Sequence, residues 1–191
     1  MDLVDKAVSD LIEVAKNHKL YENILKTDGK LVISRGNLHE PEFLFIGEAP
    51  GQQENKVGVP FIGRSGKLLD NWMSSLEITN FVIVNTLPII PLNSEGGIRK
   101  PSREEIDFFR PYVDNLIKAA NPKCIVCLGK SALEYLRKSI VNTEWQENIG
   151  FIYHPAYYLR NGRNGLDDFE RLLKNRKSDF GSKSQRNLAE F

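Results

Sequence analysis

Apolar residues near the start of the chain recur at Leu3, Val4, Ala7, Val8, Leu11, Ile12 and Ala15, a spacing of three and four that lays one apolar stripe along a helix. The pattern predicts an amphipathic opening helix that ends before the turn signal at Asp28-Gly29. From Phe43 onward, short apolar runs alternate with helical periodicity. FLFIG from Phe43 precedes a helix through Leu68, Leu69 and Trp72, and FVIVN from Phe81 precedes a helix opened by Ser102. CIVCLG from Cys124 precedes a short helix from Lys130, and FIYHP from Phe151 precedes a helix over Leu166 to Leu173. Strands this continuously apolar are buried on both faces, as in parallel sheets covered by helices. The expected fold class is therefore α/β: a three-layer α/β/α domain around a central, mostly parallel four-stranded sheet. Ser102 and Glu105, directly after Pro101, make a Ser-x-x-Glu capping box that fixes where the middle helix begins.

The totals narrow the choice. A chain of 191 residues, 41% apolar and 27% charged, buries a full core most economically as one domain over residues 1–191. Only the segment from Lys177 has the composition of a loosely held tail. No apolar run approaches the roughly 18 residues that cross a bilayer, and Asp2, Asp5 and Asp10 make the opening unlike a secretory signal. The expectation is a soluble, intracellular monomer of the cytoplasm or nucleoid (or nucleus), with no membrane contact. Cys124 and Cys127 have metal-ligand spacing, but they lie inside an apolar run and two ligands do not close a zinc site, so core packing is expected. His18, His39 and His154 are the three histidines and form no ligand motif, so no metal is expected. A net charge of +1 excludes a protein that coats nucleic acid by bulk electrostatics, and any such contact must be local.

In open parallel sheets, ligands bind beyond the carboxyl ends of the strands. The run at Phe43 ends in GEAPG (Gly47 to Gly51), the run at Phe81 in Asn85, and the run at Phe151 in His154-Pro155. A carboxylate, an amide and an imidazole thus share one rim. Phe61 lies between the first two in a loop rich in Gly and Pro, either tucked beneath that loop or exposed as a stacking platform for a planar ligand. A phosphate-binding loop is excluded, because the positions that need its first glycine hold Phe61 and Cys124.

Taken in order, GEAPGQQENKVGVPFIGRSGKLLDNWM, Asn85, PSREEIDFFRPYV, PKCIVCLGKSAL and HPAYYLRN resemble the family 4 uracil-DNA glycosylases from about Phe43 to Asn161. The resemblance implies an enzyme that flips uracil out of DNA and hydrolyses its bond to deoxyribose. It implies Glu48 and His154 as catalytic residues, Gly47, Ala49, Phe61 and Asn85 around the base, and uracil-containing DNA as partner. Glu48 would position water or crowd the pyrimidine C5 edge, and Ala49 stands where other relatives of the superfamily carry an aspartate. Arg99, Lys100, Ser102, Tyr157, Tyr158, Leu159 and Arg160 would contact DNA, one of the residues after His154 filling the hole left by the flipped base.

Family 4 members usually hold a four-iron, four-sulfur cluster on four cysteines. The corresponding positions here are His18, Tyr21, Ile89 and Phe109, so the expectation is no cofactor, with apolar packing in the cluster's place. That departure leaves other targets open, hypoxanthine or a modified uracil among them, as well as a non-catalytic binding protein on the same scaffold.

Overall fold

A computed structural model of the chain describes residues 2–139 and 148–179. The expected loose tail from Lys177 lies for the most part outside those residues. The opening apolar stripe folds into α1 (Leu3–Asn17) and α2 (Tyr21–Thr27) instead of one helix, because the backbone at His18 turns extended. The strands are β1 (Ser34–Gly36), β2 (Phe43–Gly47), β3 (Phe81–Asn85), β4 (Cys124–Leu128) and β5 (Ile149–Ile152). The remaining helices are α3 (Gln52–Val57), α4 (Arg64–Ser75), α5 (Arg103–Ala120), α6 (Lys130–Lys138), α7 (Pro155–Arg160) and α8 (Leu166–Asp179).

Among the described residues the sheet has five strands, not four, in the order β1-β3-β2-β4-β5. The additional strand, β1, pairs antiparallel with β3, and the other pairings are parallel. Both faces are covered. Leu44, Ile46, Val82, Val84, Ile125 and Cys127 pack into one core with residues of α1, α2, α5 and α6. The alternate positions Phe45, Ile83, Cys124, Val126 and Leu128 pack into a second with residues of α4, α7 and α8. The two-residue side-chain period of a strand therefore sends Cys124 and Cys127 to opposite faces, and they cannot share a metal ion. At α5, the Ser102 hydroxyl accepts from Glu105 N–H and the Glu105 carboxylate accepts from Ser102 N–H, the reciprocal cap that the sequence specifies.

Candidate active site

Parallel pairing places Gly47, the last residue of β2, directly opposite Asn85, the last residue of β3. Two residues beyond β5, His154 caps α7, its Nδ1 accepting from Ala156 N–H at 3.1 Å. A Cβ built on Gly47 would stand 2.5 Å from Phe61 Cε2 and 2.6 Å from Asn85 Oδ1. The missing side chain is thus what lets the ring and the amide approach the same point. The Phe61 ring centroid lies 5.4 Å from that of His154, so ring, amide and imidazole gather at one end of the sheet.

Two features of this cluster matter chemically. Asn85 is 4% exposed, and its Oδ1 is buried with no hydrogen-bond partner among the described residues, an arrangement that costs free energy unless a ligand supplies a donor. Burial, reinforced by Arg160 and only partly opposed by Glu54, pushes the His154 pKa from 6.5 down to about 4. At neutral pH the ring is uncharged, and because Nδ1 accepts from the backbone, the proton sits on Nε2, free to donate.

The other expected residues divide. Glu48 follows Gly47 and its carbonyl accepts from Thr86 Oγ1 and Leu87 N–H, which seams the ends of β2 and β3 together. Ala49 packs against the first core. Leu159 and Arg160 line a surface cavity of about 390 Å3 with Arg64, Ser65 and Ala156, beside the Phe61 loop and His154. Tyr158 turns inward, 1% exposed, its hydroxyl donating to Asp168. Tyr157 stacks on Tyr153 at 4.6 Å.

Arg99 and Ser102 meet at the start of α5 through Glu105. Arg99 Nε donates to Leu92 O, and its two terminal nitrogens engage Glu105 at 2.8 and 2.6 Å. The guanidinium braces the start of α5 and holds the Glu105 carboxyl below its usual range. Residues that the sequence reading passed over include Arg35, Glu54 and Asp70. Arg35 donates to the Phe61 carbonyl and to Asp70, and Glu54 accepts from Ile62 and Gly63 N–H.

The four positions that the resemblance matches to the cluster cysteines, His18, Tyr21, Ile89 and Phe109, hold no thiolate. The His18 ring lies 4.4 Å from Phe108 and 5.0 Å from Phe109, and its pKa is lowered by burial. Phe109 and Ile89 are fully buried in the first core, against which Tyr21 packs. These side chains do not fit an iron–sulfur cluster: carbon surface occupies the positions from which sulfur would have to bind iron. Among the described residues, no helix is long and apolar enough to cross a membrane.

A family model described as the uracil DNA glycosylase superfamily matches residues 33–177. The chain is 32% identical over 178 residues to the type-4 uracil-DNA glycosylase of Archaeoglobus fulgidus, a match covering 83% of this chain and 84% of that protein. It is 33% identical over 149 residues to the type-4 enzyme of Thermotoga maritima, covering 71% and 75%. With the type-4 enzyme of Saccharolobus solfataricus it is 33% identical over 160 residues, covering 82% and 68%.

Proposed function

The chain belongs to the uracil DNA glycosylase superfamily, and we propose that it excises uracil from DNA by hydrolysis and leaves an abasic site. The observation that carries this reading is the buried, unpaired Asn85 Oδ1 at the meeting point of Phe61 and His154. Uracil presents a donor at N3 beside an acceptor at O4. One Asn amide held in a fixed orientation answers both, Oδ1 accepting from N3–H and Nδ2 donating to O4. Cytosine presents the reverse pattern and leaves both groups unpaired.

Taking the nucleotide out of the stack costs a few kcal/mol, offset in part by stacking of the base on Phe61. As the bond from C1′ to N1 breaks, its electron pair leaves on the base and negative charge gathers at O2. The neutral His154 donates from Nε2 to that oxygen, stabilising the charge without itself being an acid strong enough to lose its proton. Water adds at C1′ and its proton passes to the departing base. Glu48 orients that water or crowds the C5 edge against thymine's methyl group. Leu159, which lines the groove, fills the hole left in the stack, whereas Tyr158 is committed to the core. Arg64 and Arg160 hold phosphates there. No step requires a metal, and we propose that His18, Tyr21, Ile89 and Phe109 form a packed substitute for the family's iron–sulfur cluster. The protein acts as a monomer on single- or double-stranded DNA.

The test is a panel of oligonucleotides carrying one uracil, hypoxanthine or thymine, with the released base identified by mass. Free uracil with an abasic strand is expected. Release of hypoxanthine alone moves the chain to another specificity, and binding without any free base makes it a non-catalytic protein. Iron and sulfide analysis of the purified protein checks the packed substitute, and stoichiometric iron refutes it.

A further inference from the structure

Phe61 stands at φ +54°, a left-handed backbone that a bulky residue adopts only when its surroundings impose it. The peptide that follows it is gripped at both ends by side chains of opposite charge. Arg35 Nη1 donates to the Phe61 carbonyl at 2.7 Å. Glu54 Oε1 accepts from Ile62 N–H at 3.0 Å and from Gly63 N–H at 2.9 Å. Helix α4 closes against the same carbonyl: a Cβ on Gly66 would overlap it. Arg35 is itself anchored, its Nη2 donating to Asp70 of α4 at 2.6 Å.

The short antiparallel strand explains why an arginine reaches this point. Arg35 pairs with Ile83, cross-strand partners share a face, and Ile83 faces the core that contains α4. The edge strand therefore delivers a cation beneath the Phe61 loop. The pair is partly exposed, with 25% of the Arg35 and 39% of the Asp70 side chain accessible, so its contribution to overall stability is small. Its consequence lies in where the ring points.

We propose that Arg35, anchored by Asp70, is a positioning residue that orients the peptide after Phe61 and so presets the ring as a platform for the flipped base. The assignment rests on the uracil-excision reading above. A ring presented wrongly slows the chemical step more than it weakens the hold on DNA, because the phosphate contacts lie elsewhere.

Four proteins test it: wild type, Arg35→Ala, Phe61→Ala and the double variant, each assayed by single-turnover uracil release over a range of excess enzyme. Arg35→Ala is expected to lower the maximal rate by about tenfold, within the roughly 100-fold ascribed to a misplacement near 1 Å. The half-saturating concentration stays unchanged, and Arg35→Ala costs nothing further once Phe61 is gone. Arg35→Lys, which reaches one of the two acceptors, recovers part of the rate. Should Arg35→Ala fail to fold, Asp70→Asn removes the anchor and enters the same cycle.

Wild-type rate in Arg35→Ala, beside a slow Phe61→Ala, overturns the assignment alone. So does an equal loss in both backgrounds, which marks a general structural role. A wild-type protein that releases no uracil, or a Phe61→Ala variant at full rate, overturns the base-platform reading and this assignment with it.

Discussion

Replacing Gly47 by alanine isolates the geometry on which the active-site reading depends. The Gly47 backbone is not in the left-handed region, so an alanine fits it without strain, and the whole effect of the substitution is steric. Its Cβ would meet Phe61 Cε2 at 2.5 Å and Asn85 Oδ1 at 2.6 Å, where ordinary contact begins near 3.4 Å. The ring and the amide must therefore each retreat by almost 1 Å. Neither does so freely, because Asn85 ends a strand hydrogen-bonded in register with Gly47 and Phe61 is gripped by Arg35 and Glu54. Overpacking of this kind destabilises by about 1–3 kcal/mol, a fall in Tm of roughly 2–12 °C for a chain of this size. A displacement near 1 Å at the reacting base lowers the rate by about 100-fold. The assay is single-turnover release of uracil from a labelled oligonucleotide, read beside a thermal melt. Adding Phe61→Leu to Gly47→Ala relieves the overlap with the ring but not that with Asn85 Oδ1, and recovers part of the melt without restoring the rate. A Gly47→Ala enzyme that turns over like wild type would show that Phe61 and Asn85 do not act on one base from this point.

Four further outcomes follow from the same contacts. His154→Ala loses about 100- to 1,000-fold in rate with unchanged DNA affinity by fluorescence anisotropy, and near-normal turnover removes the imidazole from the mechanism. Asn85→Val abolishes uracil release yet raises stability by about 1 kcal/mol, because a buried acceptor without a partner is gone; a melt at or below wild type refutes that accounting. Because His154 titrates near 4 instead of 6.5, single-turnover rates hold steady from neutral pH down to about 5 and fall only as the ring gains a proton near 4. Stability measured by urea titration declines earlier, from about pH 6.5 down to about 4, since over that interval the unfolded chain binds a proton that the folded one refuses. Phe109→Ala, at a fully buried position in the His18 cluster, costs about 3–5 kcal/mol by denaturant unfolding; a negligible loss refutes the packed substitute for the cluster.

What the sequence disclosed, and what it hid, follows from the range over which each signal acts. The strand ends at Gly47, Asn85 and before His154 were legible because buried parallel strands are continuous apolar runs, and the polar residue that stops a run is easy to see. β1 was not legible, since Ser34–Gly36 is three residues long and polar, with no period to detect. The break between α1 and α2 was masked by an apolar stripe that continues through Leu20 and Ile24. Residue type did not disclose the bonding at two places. Arg99, expected to contact DNA, donates to Leu92 O and Glu105, and Tyr158, expected among the DNA contacts after His154, donates to Asp168 from inside the core. Glu54 carried a faint signal, sitting three residues after the Gly51 cap where a capping carboxylate is common. It reaches forward instead, to Ile62 and Gly63.

The cluster at the sheet's end carries two local costs. An unpaired buried acceptor costs about 1–3 kcal/mol, and a bulky residue at positive φ adds a further 1–3 kcal/mol. Both lie against the second core, where Phe45, Trp72, Met73 and Phe169 are almost wholly buried, so ordinary packing offsets them. The site cannot relax cheaply, because Asn85 is fixed by the strand ladder and Phe61 by its gripped peptide. On the uracil-excision reading, an incoming uracil would relieve the first cost through its N3–H and make use of the second through stacking. Cytosine brings an acceptor to the same oxygen and leaves the cost in place. On that reading, selectivity for uracil and the stability forfeited at this point arise from one atom, Asn85 Oδ1, and any substitution that removes the forfeit must remove the selectivity with it.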